Sequence, residues 1–187
     1  MYPRIIFLFL ILSQTILVPA HAKQASVTSQ TTIEHGFSPD GSAEKLILSA
    51  INEAKKSIRI AAYAFTSPTI VDALLKAKKR GVNIAVLVDH KQTIQMDTKG
   101  RGKAALNLLV NAKIHVKTLK TKNTQHSKYM VIDNEHVQTG SFNYSAAAAR
   151  YNHENVIFIR HHPTLAAHYL DNWDMLFKAG NAYKSNY

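Results

Sequence analysis

The chain has 187 residues and carries 23 Lys and Arg against 12 Asp and Glu, a formal net charge of +11. That length suits one domain with its own core, and the positive excess favours a polyanionic partner, nucleic acid or an anionic membrane surface, over an indifferent basic surface. Cysteine is absent, which excludes a disulfide framework and a thiolate metal site.

Residues 1–22 read as a signal peptide. Arg4 supplies the positive start, Ile5 to Leu12 form an unbroken apolar run, and Ala20-His21-Ala22 is a small-x-small cleavage site. The competing reading is an uncleaved anchor, but the run is short for a spanning helix, which needs about 20 apolar residues, and Gln14 interrupts it. Cleavage after Ala22 leaves residues 23–187 as one domain, periplasmic or secreted.

The mature chain opens with a polar arm, and Thr31 to Phe37 is a first strand. Ser38-Pro39-Asp40-Gly41 is turn chemistry, after which Ser42 is expected to cap a helix with Leu46, Ile47, Ala50, Ile51 and Ala54 on one face. Ser57 to Ala64 is strand-like. Ser67-Pro68 starts a second helix, which ends in Lys76, Lys78, Lys79, Arg80 and Gly81. Val82 to Val88 suits a strand buried on both faces. Asp97 to Lys103 reads as a basic glycine-containing loop, Ala104 to Ala112 as a helix and Lys113 to Leu119 as a strand. Lys128–Asp133 and His136–Thr139 flank Asn134-Glu135 as a tight hairpin. Val156 to Ile159 is a last strand, and Pro163 to Ala179 a closing helix. This alternation predicts an α/β fold: a mixed, partly parallel sheet with helices on both faces, in a single domain.

The segment with the most chemistry is His126-Ser127-Lys128, followed by Asp133 and by Gly140-Ser141-Phe142-Asn143. Side chains alternate along a strand, so His126 and Lys128 share a face and Asp133 faces away from Lys128. An imidazole, an ammonium, a hydroxyl and an amide suit attack on a phosphodiester. The imidazole acts as nucleophile or base, while Lys128 and Asn143 hold the phosphoryl oxygens. Glu154 is a candidate to orient the imidazole.

His-x-Lys, four residues, Asp, six residues, Gly-Ser-x-Asn resembles the HKD motif of the phospholipase D superfamily, with His126, Lys128, Asp133, Gly140, Ser141 and Asn143 filling every signature position. The likeness is closest to the small secreted Nuc-type endonucleases, which carry one motif per chain. It runs from about Thr31 to the last helix and includes Ala61 to Thr66 and a glutamate placed like Glu154. The resemblance implies a metal-independent mechanism without cofactor. One motif histidine forms a phosphohistidine, and a second protonates the leaving oxygen and then activates water. The motif serine supports the site, and the aspartate, with Gly140, is structural.

In-line displacement puts nucleophile and leaving group on opposite sides of phosphorus, so two motifs are expected and this chain supplies one. His115-Val116-Lys117 has Lys122 where an aspartate belongs and no Gly-Ser-x-Asn after it; it is a decoy. A two-fold homodimer sharing one active site follows.

The remaining features admit plainer readings. Lys117, Lys120 and Lys122 beside the motif, and Lys99, Arg101 and Lys103 in the basic loop, are candidate phosphate contacts or solvated faces. The loop is not a P-loop, because its glycines lack the spacing. Tyr63, Phe65 and Tyr144 suit core packing better than base stacking. His153 and His161-His162 lack metal-ligand spacing and are expected to be exposed. The sequence thus points to a sequence-nonspecific endonuclease acting on DNA, with RNA as a further substrate. The rivals are a phospholipase D acting on lipid head groups and a nucleic-acid-binding module with an idle site.

Overall fold

The computed structural model describes residues 30–185; the leader segment and the start of the polar arm lie outside them. Eight strands form one sheet: β1 (Thr32–Ser38), β2 (Ser57–Ala62), β3 (Asn83–Asp89), β4 (His115–Leu119), β5 (Tyr129–Ile132), β6 (His136–Gly140), β7 (Glu154–Arg160) and β8 (Asn181–Ala182). Their order is β1-β7-β6-β5-β2-β3-β4-β8. β2, β3 and β4 run parallel, and every other pairing is antiparallel. The helices are α1 (Ser42–Glu53), α2 (Pro68–Lys79), α3 (Arg101–Asn111), α4 (Ala146–Arg150) and α5 (Pro163–Ala179). The mixed sheet with helices on both faces is the architecture expected from the alternating pattern.

Strand alternation builds two cores. Ile58, Ile60, Ala62, Ile84, Val86 and Val88 point to one face, where α1, α2 and α3 pack. Ala61, Ala85, Tyr129, Val131 and Val137 point to the other and meet Trp173 of α5. The Trp173 indole N–H donates to the Ile60 carbonyl at 2.9 Å, which locks α5 across the central strands. α5 does not extend over β1 and β7. On that uncovered face Ile33, Phe37 and Ile157 are 67%, 51% and 38% exposed.

Local details correct the sequence reading. Gly41, in the left-handed region at φ 87°, is the N-cap of α1, not Ser42. The Ser42 hydroxyl instead accepts from the Phe37 N–H at 2.7 Å and donates to Asp40, tying β1 to the helix start. Ser67 does cap α2, accepting from the Ile70 N–H. A π-helical turn, Lys91–Gln95, and the short α4 carry no strong local signal. Arg101 and Lys103 open α3 instead of lying in a loop, because the Asp97 carboxylate accepts from the Gly102 N–H and starts the helix there. A side chain at Gly102 would meet the Thr93 carbonyl at 2.0 Å, so only glycine lets α3 approach that turn. The hairpin turns on Asp133 and Asn134, at φ 56° and 60°, one residue earlier than Asn134-Glu135. Two consecutive left-handed residues match the twist of the flanking strands.

Candidate active site

The chain passes repeatedly through one rim of the sheet. The C-terminal ends of β2, β3, β4 and β6, and the N-terminal ends of β5 and β7, all lie there. Such a rim is where open α/β sheets place their sites. A cavity of about 810 Å³ opens on it, lined among others by His126, Lys128, Ser141, Asn143 and Glu154.

His126 is held by a brace that begins in β3. Asp89 is buried, and its carboxylate accepts from the Gln92 N–H at 2.7 Å and the Gln125 N–H at 3.1 Å. Gln125 in turn bonds the backbone of Ser127 in both directions. The backbone on either side of His126 is therefore fixed while the imidazole stays exposed. Asp89 and Gln125 were not singled out from the sequence; an acid closing an apolar strand was the available signal for the first.

Lys128 is buried, with its ammonium 3.1 Å from His126 Nδ1 and 2.5 Å from the His126 carbonyl. The same ammonium lies 4.8 Å from the centre of the Tyr63 ring, and the Tyr63 and His126 rings are 4.4 Å apart. Tyr63 is thus part of the site instead of the core, whereas Phe65 and Tyr144 are fully buried. The Thr93 hydroxyl donates to the Tyr63 carbonyl at 2.9 Å, so the π-helical turn holds the backbone that carries this ring. Burial lowers the Lys128 pKa from the ordinary lysine range, and the charge of Glu154 pulls it back upward.

Ser141 donates to Glu154 Oε2 at 2.6 Å and accepts from the Asn155 N–H at 3.0 Å. Asn152 donates to the other Glu154 oxygen at 3.0 Å. The carboxylate therefore holds the Ser141 turn and charges the pocket; among the described residues it does not bond the imidazole. Gly140 permits this packing, since a side chain there would strike the Asn155 carbonyl at 2.2 Å. Asn143 lines the cavity, and its Oδ1 is buried with no partner among the described residues. A phosphoryl oxygen needs a donor, so the amide Nδ2 of Asn143, and not this oxygen, is the atom able to hold one.

Asp133 faces the opposite end of the sheet. Its carboxylate accepts from the N–H groups of Lys55, Lys56 and Ser57 at 2.9, 2.7 and 2.8 Å. Burial raises its pKa, but the bonds from Ser57, Lys55 and Lys56 and the nearby His136 outweigh that and hold it below the usual range. Asp133→Ala is expected to destabilise the fold by ~2–4 kcal/mol, because three N–H groups lose a charged acceptor. A depressed carboxylate pKa contributes stability above its unfolded value and loses it as pH falls through the folded value. The gap in thermal midpoint between parent and variant should therefore be full at neutral pH and shrink below the usual carboxylate range. A constant gap down to strong acid would show that the charge is not responsible.

The basic candidates disperse. The Lys117 ammonium donates to the Phe177 carbonyl at 2.8 Å and covers its ring, so it is occupied within the fold. Lys120 and Lys122 lie exposed on the segment leading to His126. Lys99 and Arg101 line a different cavity, and Lys103 is exposed on the first turn of α3. His161 is half-buried instead of exposed: its Nδ1 lies 2.6 Å from Glu135, and its backbone N–H donates to His136 Nδ1. These three residues bring possible metal-ligand atoms within 4.8 Å of one another. The bonds among them tie the β5–β6 hairpin to the end of β7. α5 adds His168, Tyr169 and Asn172 to the wall of the catalytic cavity, which sequence spacing did not signal.

An exposed imidazole, a buried ammonium and an amide thus line one cavity at this rim. Residues 47–176 match the family described as cardiolipin synthase, PLD-like domain, and the chain belongs to that family. It is 37% identical over 148 residues to a phospholipase D of Rickettsia conorii, covering 79% of this chain and 70% of the relative. The structure resembles Nuc, a phospholipase D family member from Salmonella typhimurium, with a TM-score of 0.80 and 40% identity over 83% of this chain and all of the other. NucT from Helicobacter pylori shares the fold at a TM-score of 0.69 and 22% identity, over 82% of this chain and all of the other. No helix among the described residues is long and apolar enough to cross a membrane.

Proposed function

We propose that this phosphodiesterase is a metal-independent, sequence-nonspecific endonuclease, acting on DNA and secondarily on RNA. The observation that carries the reading is the His126–Lys128–Asn143 cavity on a chain of net charge +11. His126 attacks phosphorus, forming the N–P bond as the P–O bond breaks. Lys128 and Asn143 hold the non-bridging oxygens, and Ser141 and Glu154 keep the Asn143 turn in place. A second His126, from a partner subunit, protonates the leaving oxygen and then takes a proton from the water that releases the phosphohistidine. The exposed Lys120 and Lys122 meet flanking phosphates, with Lys99, Arg101 and Lys103 farther along the chain. Signal cleavage after Ala22 delivers the protein to the periplasm or the exterior.

The similarity to Nuc favours nucleic acid, whereas the relatives named phospholipase D favour lipid. We favour nucleic acid, because a polyanion can be held by many phosphate contacts at once on a chain this basic. Purified protein should nick plasmid DNA in excess EDTA. Hydrolysis of phospholipid vesicles with intact plasmid would put the lipid reading first.

The homodimer is supported by the uncovered sheet face. Ile33, His35 and Phe37 of β1 share a face with Ile157 of β7, whose neighbour Thr139 lines the catalytic cavity. In this reading a second copy docks there and supplies the second His126.

A further inference from the structure

A second cavity of about 810 Å³ opens between α2, α3 and α4. Its walls are apolar, with Val71, Leu75 and Leu108, and its cations are Lys99, Arg101 and Arg150. None of those three forms an ion pair among the described residues. The one acid on its wall, Asp72, is paired with Lys76 at 2.7 Å. Tyr151 also lines the cavity and is 78% exposed. An aromatic ring left in water beside unpaired cations is unexplained by folding.

One segment of chain links this cavity to the catalytic one. Thr66 belongs to its wall, and the N–H groups of Thr66 and Ser67 donate to the Tyr144 carbonyl, one residue beyond Asn143. At its other end, Tyr151 precedes Asn152, which bonds Glu154. The segment from Asn143 to Glu154 thus contributes to both, with Asn143 and Glu154 in the catalytic cavity and Arg150 and Tyr151 in this one.

We propose that this groove is a second subsite for single-stranded nucleic acid, holding the strand that leaves the catalytic pocket. Lys99, Arg101 and Arg150 meet its phosphates, and a base stacks on Tyr151. The cations come from two separate segments, which suits a ligand with repeated charge better than one lipid phosphate. The inference rests on the nuclease reading and extends it.

The test uses His126→Ala protein, so that no strand is cut, and measures binding of a fluorescent single-stranded oligonucleotide of roughly 20 nucleotides by anisotropy. Adding Tyr151→Ala should weaken binding about tenfold, in the range for loss of one base stack. Replacing Lys99, Arg101 and Arg150 by Ala should lower the salt dependence, log Kd against log salt, by about 2, from roughly 0.7 per phosphate contact. All four side chains are on the surface of the groove, and matching circular dichroism and thermal midpoints will confirm that the variants are folded. Unchanged affinity and salt slope in both variants overturn the groove. So does loss of binding to phosphatidylglycerol vesicles with oligonucleotide binding intact, which makes the occupant a lipid. If the parent binds through the groove but cuts no DNA, the groove stands and the nuclease reading fails.

Discussion

His126→Ala protein is expected to leave plasmid DNA intact in excess EDTA under conditions where the parent degrades it, a loss of about 10⁴-fold or more. The expectation comes from the division of labour in the cavity. Lys128 and Asn143 stabilise charge on the phosphoryl oxygens, but neither forms a bond to phosphorus. With the imidazole gone, water must attack without a nucleophilic intermediate and the leaving oxygen must depart without a proton. The residual rate then reflects binding and electrostatics alone. The substitution should cost little stability, since the His126 ring is exposed and its backbone is held by Asp89 and Gln125. Denaturing the parent in alkali during turnover should trap a DNA strand joined to the protein through a P–N bond, and the variant should trap none. Equal cleavage by both proteins would mean that the nucleophile lies elsewhere. Cleavage by the parent that EDTA abolishes would sink the metal-independent mechanism.

Mixing parent and His126→Ala subunits in equal amounts, with time to exchange, should cut activity to about a quarter, because a shared site needs both imidazoles and only a quarter of random dimers keep both. Independent subunits would retain about half. Phe37→Asp examines the same contact from the other side. Phe37 is 51% exposed in the single chain, so a carboxylate there is tolerated by the fold but costly in an apolar interface. The variant should sediment as a monomer and lose activity in parallel with dimer content. A fully active monomer would remove the shared site and turn attention to His168, the other imidazole lining the cavity. In that case His168→Ala would be the variant that loses turnover.

Local signals were legible where a few neighbouring residues decide the outcome. Ser67-Pro68 caps α2, the run Val82 to Val88 becomes a buried strand, and Pro163 to Ala179 is α5. Ser42 misled because serine suits an N-cap, yet its hydroxyl is used to tie β1 to the turn. The hairpin was placed one residue late because the Asp133 carboxylate, reaching the backbone of Lys55 to Ser57, holds Asp133 itself in the left-handed region. Tyr63 was assigned to the core on aromatic character, but the end of β2 sets it against His126 and Lys128. Glu154 was assigned to the imidazole on chemistry alone, and the packing of β7 beside the Ser141 turn gives it other partners. Lys117 looked free beside the motif, until the end of α5 covered it.

The sequence by itself determined the chemistry and the building elements. The His126-x-Lys128 spacing, the glycine, serine and asparagine that follow, the positive charge and the helix and strand periods are all set by residues close together in the chain. Only the tertiary structure decided which groups meet at or brace the site. Asp89, Tyr63, Asn143, Glu154 and His168 come from separate segments, and their meeting depends on a sheet order, β1-β7-β6-β5-β2-β3-β4-β8, that does not follow the chain. That order comes from burying both faces of the sheet at once, a condition imposed by the packed molecule as a whole, beyond any local stretch of sequence.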